Sequence, residues 1–160
     1  ASRVLAVGRG SRRGAAVLPV VVVGAARYSH EYATAVAGAA RGEQRIRLLG
    51  SVWDQELLDQ LYVGSRSVLH GHSVGGTNPS LLRAMGASTR ITAYDCAFNR
   101  EVTGGHAAWF TDETGVARAV DHDEVAHDDR GRLARLRAET AYVWEDVIDG
   151  YADLCERLAR

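Results

Sequence analysis

Lysine is absent from this 160-residue chain, and all 19 basic side chains are arginines. Any mechanism that needs a lysine is therefore excluded within these residues. The P-loop GxxxxGK[ST] is the first to fall. Cysteine is scarce: Cys96 and Cys155 stand alone with no CxxC spacing, which predicts free thiols and a reducing, cytoplasmic setting. Charge of one sign is lacking too. The formal net charge is −1, without the basic excess of a general nucleic-acid or membrane-surface binder. Long apolar runs are missing: Ala15–Ala26 is broken by Pro19 and Gly24, well short of the ~18 residues of a spanning helix. The opening ASRVLAVGRGSRRG reads as a strand and a glycine turn rather than a signal peptide. The GxGxxG fingerprint is absent, so a nicotinamide-type turn has no support.

What is present is 46% apolar residues, enough for a core, in a length that fits one domain of about 100–200 residues. Short β-branched runs alternate with helical patterns, the signature of an α/β sheet. Strands are expected at Arg3–Val7, Pro19–Val23, Arg45–Leu49, Ser67–His70, Arg90–Tyr94 and Ala107–Phe110. The run PVVVV suits a parallel strand buried on both faces. Helices are expected over Glu31–Ala40, from Gln55 to about Val63 behind an Asp54 cap, and behind Asn78-Pro79 to about Ala87. Further helices follow over Glu113–Ala119 behind Asp112, Arg130–Tyr142 and Glu145–Leu158. Trp144 and Tyr151 are expected to be core residues of the last one. The acidic stretch Asp121–Asp129 reads as a solvated connector or a helix end; the alternative is a metal site from His122, Asp123 and His127. The twelve residues GRGSRRGAAVLP barely span a parallel crossover and have no helical period.

The chemistry is concentrated in His70–Phe110. Gly75-Gly76-Thr77 lie between a strand end and a capped helix. In open α/β sheets ligands bind at the carboxyl ends of strands. Glycines there let the backbone approach closely, and a helix N-terminus offers N–H groups to phosphate. The segment reads as a diphosphate site formed by Gly75, Gly76, Thr77 and Asn78, or as a tight strand-to-helix turn without a ligand. His70 and His72 could form half of a zinc site, but no third ligand of matching spacing is evident, so no metal is expected.

HGHSVGGTNPSLLRAMGA, then AYDCAFNREV, then Trp109-Phe110, closely resemble the C-terminal half of family 4 bacterial glycosyltransferases, in particular the rhamnosyltransferase-like branch. The opening LAVGR, the segment RIRLLGSVWDQELLDQLY and the stretch TAYVWEDVIDGYADLCERL resemble the same family. The resemblance implies a GT-B enzyme with two Rossmann-like domains around a cleft. It makes residues 1–142 the nucleotide-sugar-binding domain and 143–160 a C-terminal helix packing on it. The acceptor-binding N-terminal domain would lie outside this chain, in the same gene or a partner chain, and any peripheral membrane association would go through it. The implied reaction moves a sugar from a nucleoside diphosphate to a saccharide or small-molecule hydroxyl, with retention and without metal or cofactor. An isolated donor domain would turn over little or nothing.

The resemblance also assigns residues. Gly8 and Arg9 would meet the donor diphosphate, with Arg12 or Arg13 standing in for the family's lysine. Val52 would contact the base, with Leu57 nearby, and Trp53 would be core or stack on the base. His70 would line the donor pocket. Glu101 falls where the family places a carboxylate near the donor sugar, accompanied by Asn99 and Arg100; a local cap of a short helix over Asn99–Val102 is the plain alternative. Gly75 and Arg83 occupy the family's two glutamate positions, the second of which holds the ribose. Arginine accepts no hydrogen bond. That points to a deoxyribonucleotide donor such as dTDP-rhamnose, or to a domain that keeps the fold without catalysis.

Overall fold

The computed structural model describes residues 18–24 and 30–159. The strand expected over Arg3–Val7, with Gly8, Arg9, Arg12 and Arg13, lies outside the described residues, as does most of the short crossover. Strand β1 (Val20–Val23) is followed by helix α1 (His30–Ala40), β2 (Ile46–Gly50), α2 (Gln55–Gly64) and β3 (Ser67–His70). Then come α3 (Pro79–Gly86), β4 (Arg90–Tyr94), α4 (Ala97–Thr103) and β5 (Ala108–Phe110). Three helices close the chain: α5 (Glu113–Val125), α6 (Arg130–Ala141) and α7 (Trp144–Leu158). The described strands form two parallel sheets, ordered β1-β2 and β3-β4-β5. This is the expected α/β, Rossmann-like architecture of parallel strands flanked by helices.

Local chemistry explains the boundaries. Asp54 accepts from the Leu57 N–H at 3.1 Å and starts α2. Asn78 accepts from the Ser80 N–H at 3.0 Å, and Pro79 has no N–H to satisfy at the first helical position. Asp112 accepts from the Gly115 N–H at 2.7 Å and starts α5. Gly104 ends α4 in the left-handed region, at φ +60°.

The core lies around β4. Ile91 and Ala93 face Leu81, Ala84 and Met85 of α3, Val102 of α4 and Ala134 of α6. Thr92, on the alternate face, meets α5, where Val116 is fully buried. Helices thus cover both faces of this sheet. Helix α6 approaches the turn before β4 so closely that a Cβ at Gly131 would overlap the Ser88 carbonyl oxygen.

Two expectations need correction, and one alternative is decided. The PVVVV strand is not buried on both faces: Val20 and Val22 are half-buried while Val21 and Val23 are each 40% exposed. Burial alternates along β1, where packing covers one face, whereas in β2 only Ile46 and Gly50 are half-buried. The stretch Asp121–Asp129 takes the helix-end reading, with a short connector beyond it. Helix α5 continues to Val125 and carries Asp123 to 2% exposure. There it accepts from Ser67 Oγ and Thr92 Oγ1, both at 2.6 Å, and pairs with Arg130. A carboxylate satisfied this way ties α5 and α6 to the underside of the sheet. Finally, Trp144 and Tyr151 are not core: they are 73% and 68% exposed, and α7 buries none of its residues. Its amphipathic pattern is real, but no described element covers its apolar side.

Candidate functional site

The site is built where β3 and β4 end. His70, the last residue of β3, is 4% exposed, and its ring stacks on His72 with centroids 4.8 Å apart. Its Nε2 is buried with no hydrogen-bond partner. Burial, aided by the neighbouring His72, pushes its pKa down to about 4, so the ring is neutral at neutral pH. A neutral imidazole offers one donor and one acceptor.

The loop 71–78 follows. Gly75 has φ +127°, a conformation that side chains resist, and no atom lies within 4 Å of a Cβ built on Gly75 or Gly76. Gly75, Gly76 and Thr77 are exposed. Their N–H groups, and that of Asn78, donate to no described residue. The helix behind them is less open. Ser80 N–H donates to Asn78 Oδ1, and Leu81 and Leu82 N–H to the Asn78 carbonyl. Donors for an anion therefore come from the loop itself, with the first turn of α3 supplying its dipole. The side chain of Asn78 is committed to its cap, accepting from Ser80 Oγ as well at 2.6 Å.

Asn99 holds this loop from the other side. Its amide Nδ2 donates to the carbonyls of His72 and Tyr94, each at 2.8 Å, from a position 4% exposed. It braces two strand ends rather than pointing outward. Arg100 grips Asp95 with two bonds of 2.6 and 2.8 Å and lies over the Trp109 ring, 4.5 Å from its centroid. The Arg100 hydrogen bonds hold the Asp95 carboxyl below its usual range. Glu101 goes elsewhere: its 80% exposed carboxylate lies 3.6 Å from Arg137 of α6.

Arg83 is also differently employed. Its Nε donates to Asp59 Oδ1 at 2.7 Å and its Nη2 to Gln55 Oε1 at 2.9 Å, both on α2. The hydrogen bond from Arg83 leads the interactions that raise its own pKa. Val52 is half-buried in the loop between β2 and α2, beside a 74% exposed Trp53. The structure thus gathers His70, Gly75, Gly76, Thr77, Asn78 and Asn99 at one edge. Arg83 and Val52 sit on the adjoining α2 side, and Glu101 on the α6 side. Gly8 and Arg9 lie outside the described residues. Among the described residues, no three His, Cys, Asp or Glu side chains are grouped to hold a metal ion. Asp59 and Gln55 were not singled out from sequence, because a cross-helix pair leaves no local spacing.

No protein-family model matches the chain, and no curated protein matches it in sequence. Its fold is similar to that of a solved structure, Anabaena Alr3699/HepE in complex with UDP. The TM-score is 0.76 at 13% identity, over 96% of this chain and 44% of that one. This chain therefore spans less than half the length of that protein. The likeness establishes the fold.

Proposed function

We propose that this chain is the donor-binding half of a glycosyltransferase and holds a nucleoside-diphosphate sugar at the loop 75–78. The observation that carries the reading is the run of unengaged N–H groups from Gly75 to Asn78. They belong to the loop that follows His70, whose buried Nε2 has no hydrogen-bond partner, at the carboxyl end of a parallel sheet. Such a loop suits a diphosphate, whose oxygens accept from backbone N–H groups. The similar fold of a protein solved with UDP supports a nucleotide as the ligand.

In this reading Gly75, Gly76, Thr77 and Asn78 bind the diphosphate through the backbone, and Gly8 and Arg9 also meet it. His70 lines the pocket, and Val52 meets the base. Charge that develops on the leaving diphosphate is stabilised electrostatically, without metal or cofactor. The sugar passes with retention to a hydroxyl of a saccharide or small molecule held by a separate N-terminal domain. Family 4, its rhamnosyltransferase-like branch, the dTDP-rhamnose donor and a cytoplasmic setting belong to this proposal. Titrating the chain with UDP and dTDP by calorimetry, with and without EDTA, tests it. Binding that survives EDTA supports the reading, and absence of binding by either nucleotide ends it.

A non-catalytic binding domain is the second reading, favoured by one observation. Arg83 and Glu101, at positions where the resembled family keeps sugar- and ribose-contacting carboxylates, are paired within the fold to Asp59 and Arg137. Nucleotide binding without turnover, after an N-terminal domain is supplied, would select it.

A further inference from the structure

Arg66 and Arg90 converge at the end of the sheet opposite the loop 75–78. Arg90 opens β4 and Tyr94 closes it, so the two ends lie about 13 Å apart at ~3.3 Å per residue. Arg90 Nη1 donates to the Ala126 carbonyl, and its Nε to the Arg66 carbonyl at 3.3 Å. Arg66 Nη2 donates to the same Ala126 carbonyl at 3.1 Å. Two guanidiniums therefore share one oxygen at the C-cap of α5. A helix C-terminus carries about half a negative charge, too little to balance both. The neighbouring carboxylates go elsewhere: Asp123 and Asp128 pair with Arg130, and Asp129 with Arg132. Asp128 feels the Arg90 charge only at longer range. Among the described residues, neither Arg66 nor Arg90 forms an ion pair. Yet Arg90 is only 9% exposed, and a charge so buried is ordinarily paired.

Both arginines line an open cavity of about 360 Å³, together with His127, Asp128 and the first turn of α6. That volume falls in the range of small-ligand sites, ~300–1,000 Å³. Gly131 and Arg132 bring backbone N–H groups that donate to no described residue. We propose that this cavity is a second anion site, which takes a phosphate group, free or on a small monoester, between Arg66, Arg90 and the start of α6. Guanidinium forks and helix N–H groups are the donors that fit phosphate oxygens. The bound charge balances the surplus that Arg66 and Arg90 carry. The site shares no residue with the loop 75–78 and does not rest on the nucleotide reading.

The test follows the backbone amide signals of the full chain by NMR. The titrants are inorganic phosphate, glycerol phosphate as a monoester, and sodium chloride at matched ionic strength. The Gly131 and Arg132 signals are expected to move saturably with both phosphates and not with chloride. Tighter binding of glycerol phosphate assigns the site to an ester; equal or weaker binding assigns it to free phosphate. Arg66 carries the mutational test, because it is exposed whereas the buried Arg90 also supports the fold. Arg66→Gln is expected to weaken both phosphates about tenfold, the scale of one charge-assisted contact, with an unchanged unfolding temperature. Arg66→Lys keeps the charge and restores part of the affinity. Signals from the loop 75–78 report the nucleotide site in the same spectra, and Arg66→Gln leaves their response to UDP unchanged. No saturable movement at Gly131 and Arg132, an equal response to chloride, or undiminished affinity in Arg66→Gln overturns the proposal, whatever UDP does at the loop.

Discussion

The side-chain amide of Asn99 donates to the backbone carbonyl of His72 at 2.8 Å, joining the first turn of α4 to the loop that leaves β3. The same nitrogen bonds the Tyr94 carbonyl at 2.8 Å, so one buried side chain fixes the ends of two neighbouring strands. Replacing Asn99 by Ala strips donors from both carbonyls. The expected cost is about 1–3 kcal/mol, the range for leaving a buried polar group unsatisfied. Urea unfolding of N99A measures it. Nucleotide affinity should fall several-fold with it, because the loop 71–78 loses its tether.

His70 sets an acid limit on stability. Its ring is buried neutral, with a pKa pushed down to about 4, whereas an unfolded histidine titrates near 6.5. The unfolded chain therefore binds more protons between these values, and stability rises with pH there. Its contribution is complete above pH 6.5 and is lost as pH falls toward 4, roughly 3 kcal/mol at most. Unfolding free energies at pH 7 and pH 4.5 should differ in this direction. His70→Gln should flatten the profile between those values; a parallel profile would remove His70 as its source.

Asp123 acts at lower pH and by a different balance. Burial alone would raise its pKa, but hydrogen bonds from Ser67, Thr92 and Arg130 outweigh burial and hold it below the usual carboxylate range. A depressed carboxyl contributes stability above its unfolded pKa and loses it as pH falls through the folded value. Asp123→Ala removes one of the two carboxylates paired with Arg130, the other being Asp128, and takes the acceptor from the Ser67 and Thr92 hydroxyls. A loss of about 3–5 kcal/mol is expected, as for breaking a buried pair from one side. Thermal or urea unfolding reads it directly, and nucleotide contacts are not involved.

Gly131 tests the packing of α6 on the core. A Cβ there meets the Ser88 carbonyl, so Gly131→Ala must push the helix from the turn before β4. The expected destabilisation is about 1–3 kcal/mol, the range for overpacking, although alanine is the better helix former. A stabilised Gly131→Ala protein would contradict the close approach.

Much of this architecture is legible in local sequence. Asp54, Asn78-Pro79 and Asp112 cap the helices they were expected to cap, since capping depends on a few adjacent residues. The Gly75-Gly76 loop is where glycine spacing puts it. What is hidden is long-range pairing. Nothing near Asp123 reveals that Ser67 and Thr92, 56 and 31 residues away, will solvate it, so the acidic stretch reads only as a connector or a helix end. Arg83 reads as a charge reversal at a ribose site until Asp59 of α2 is seen against it. Amphipathicity predicts that α7 has an apolar side but not whether this chain covers it. In Asn99 the motif was visible, while its use as a brace between strand ends required the fold.

The central claim is that a nucleoside diphosphate sits on the loop 75–78, and Gly76 tests it most directly. No atom lies within 4 Å of a Cβ built there, and its φ is not positive, so Gly76→Val adds a side chain without disturbing the fold. Calorimetric titration with UDP should show binding by the wild-type chain and a loss of at least about tenfold in Gly76→Val, equivalent to about 1.4 kcal/mol, with an unchanged unfolding temperature. Equal UDP binding by the two proteins, or none by the wild type, would contradict it.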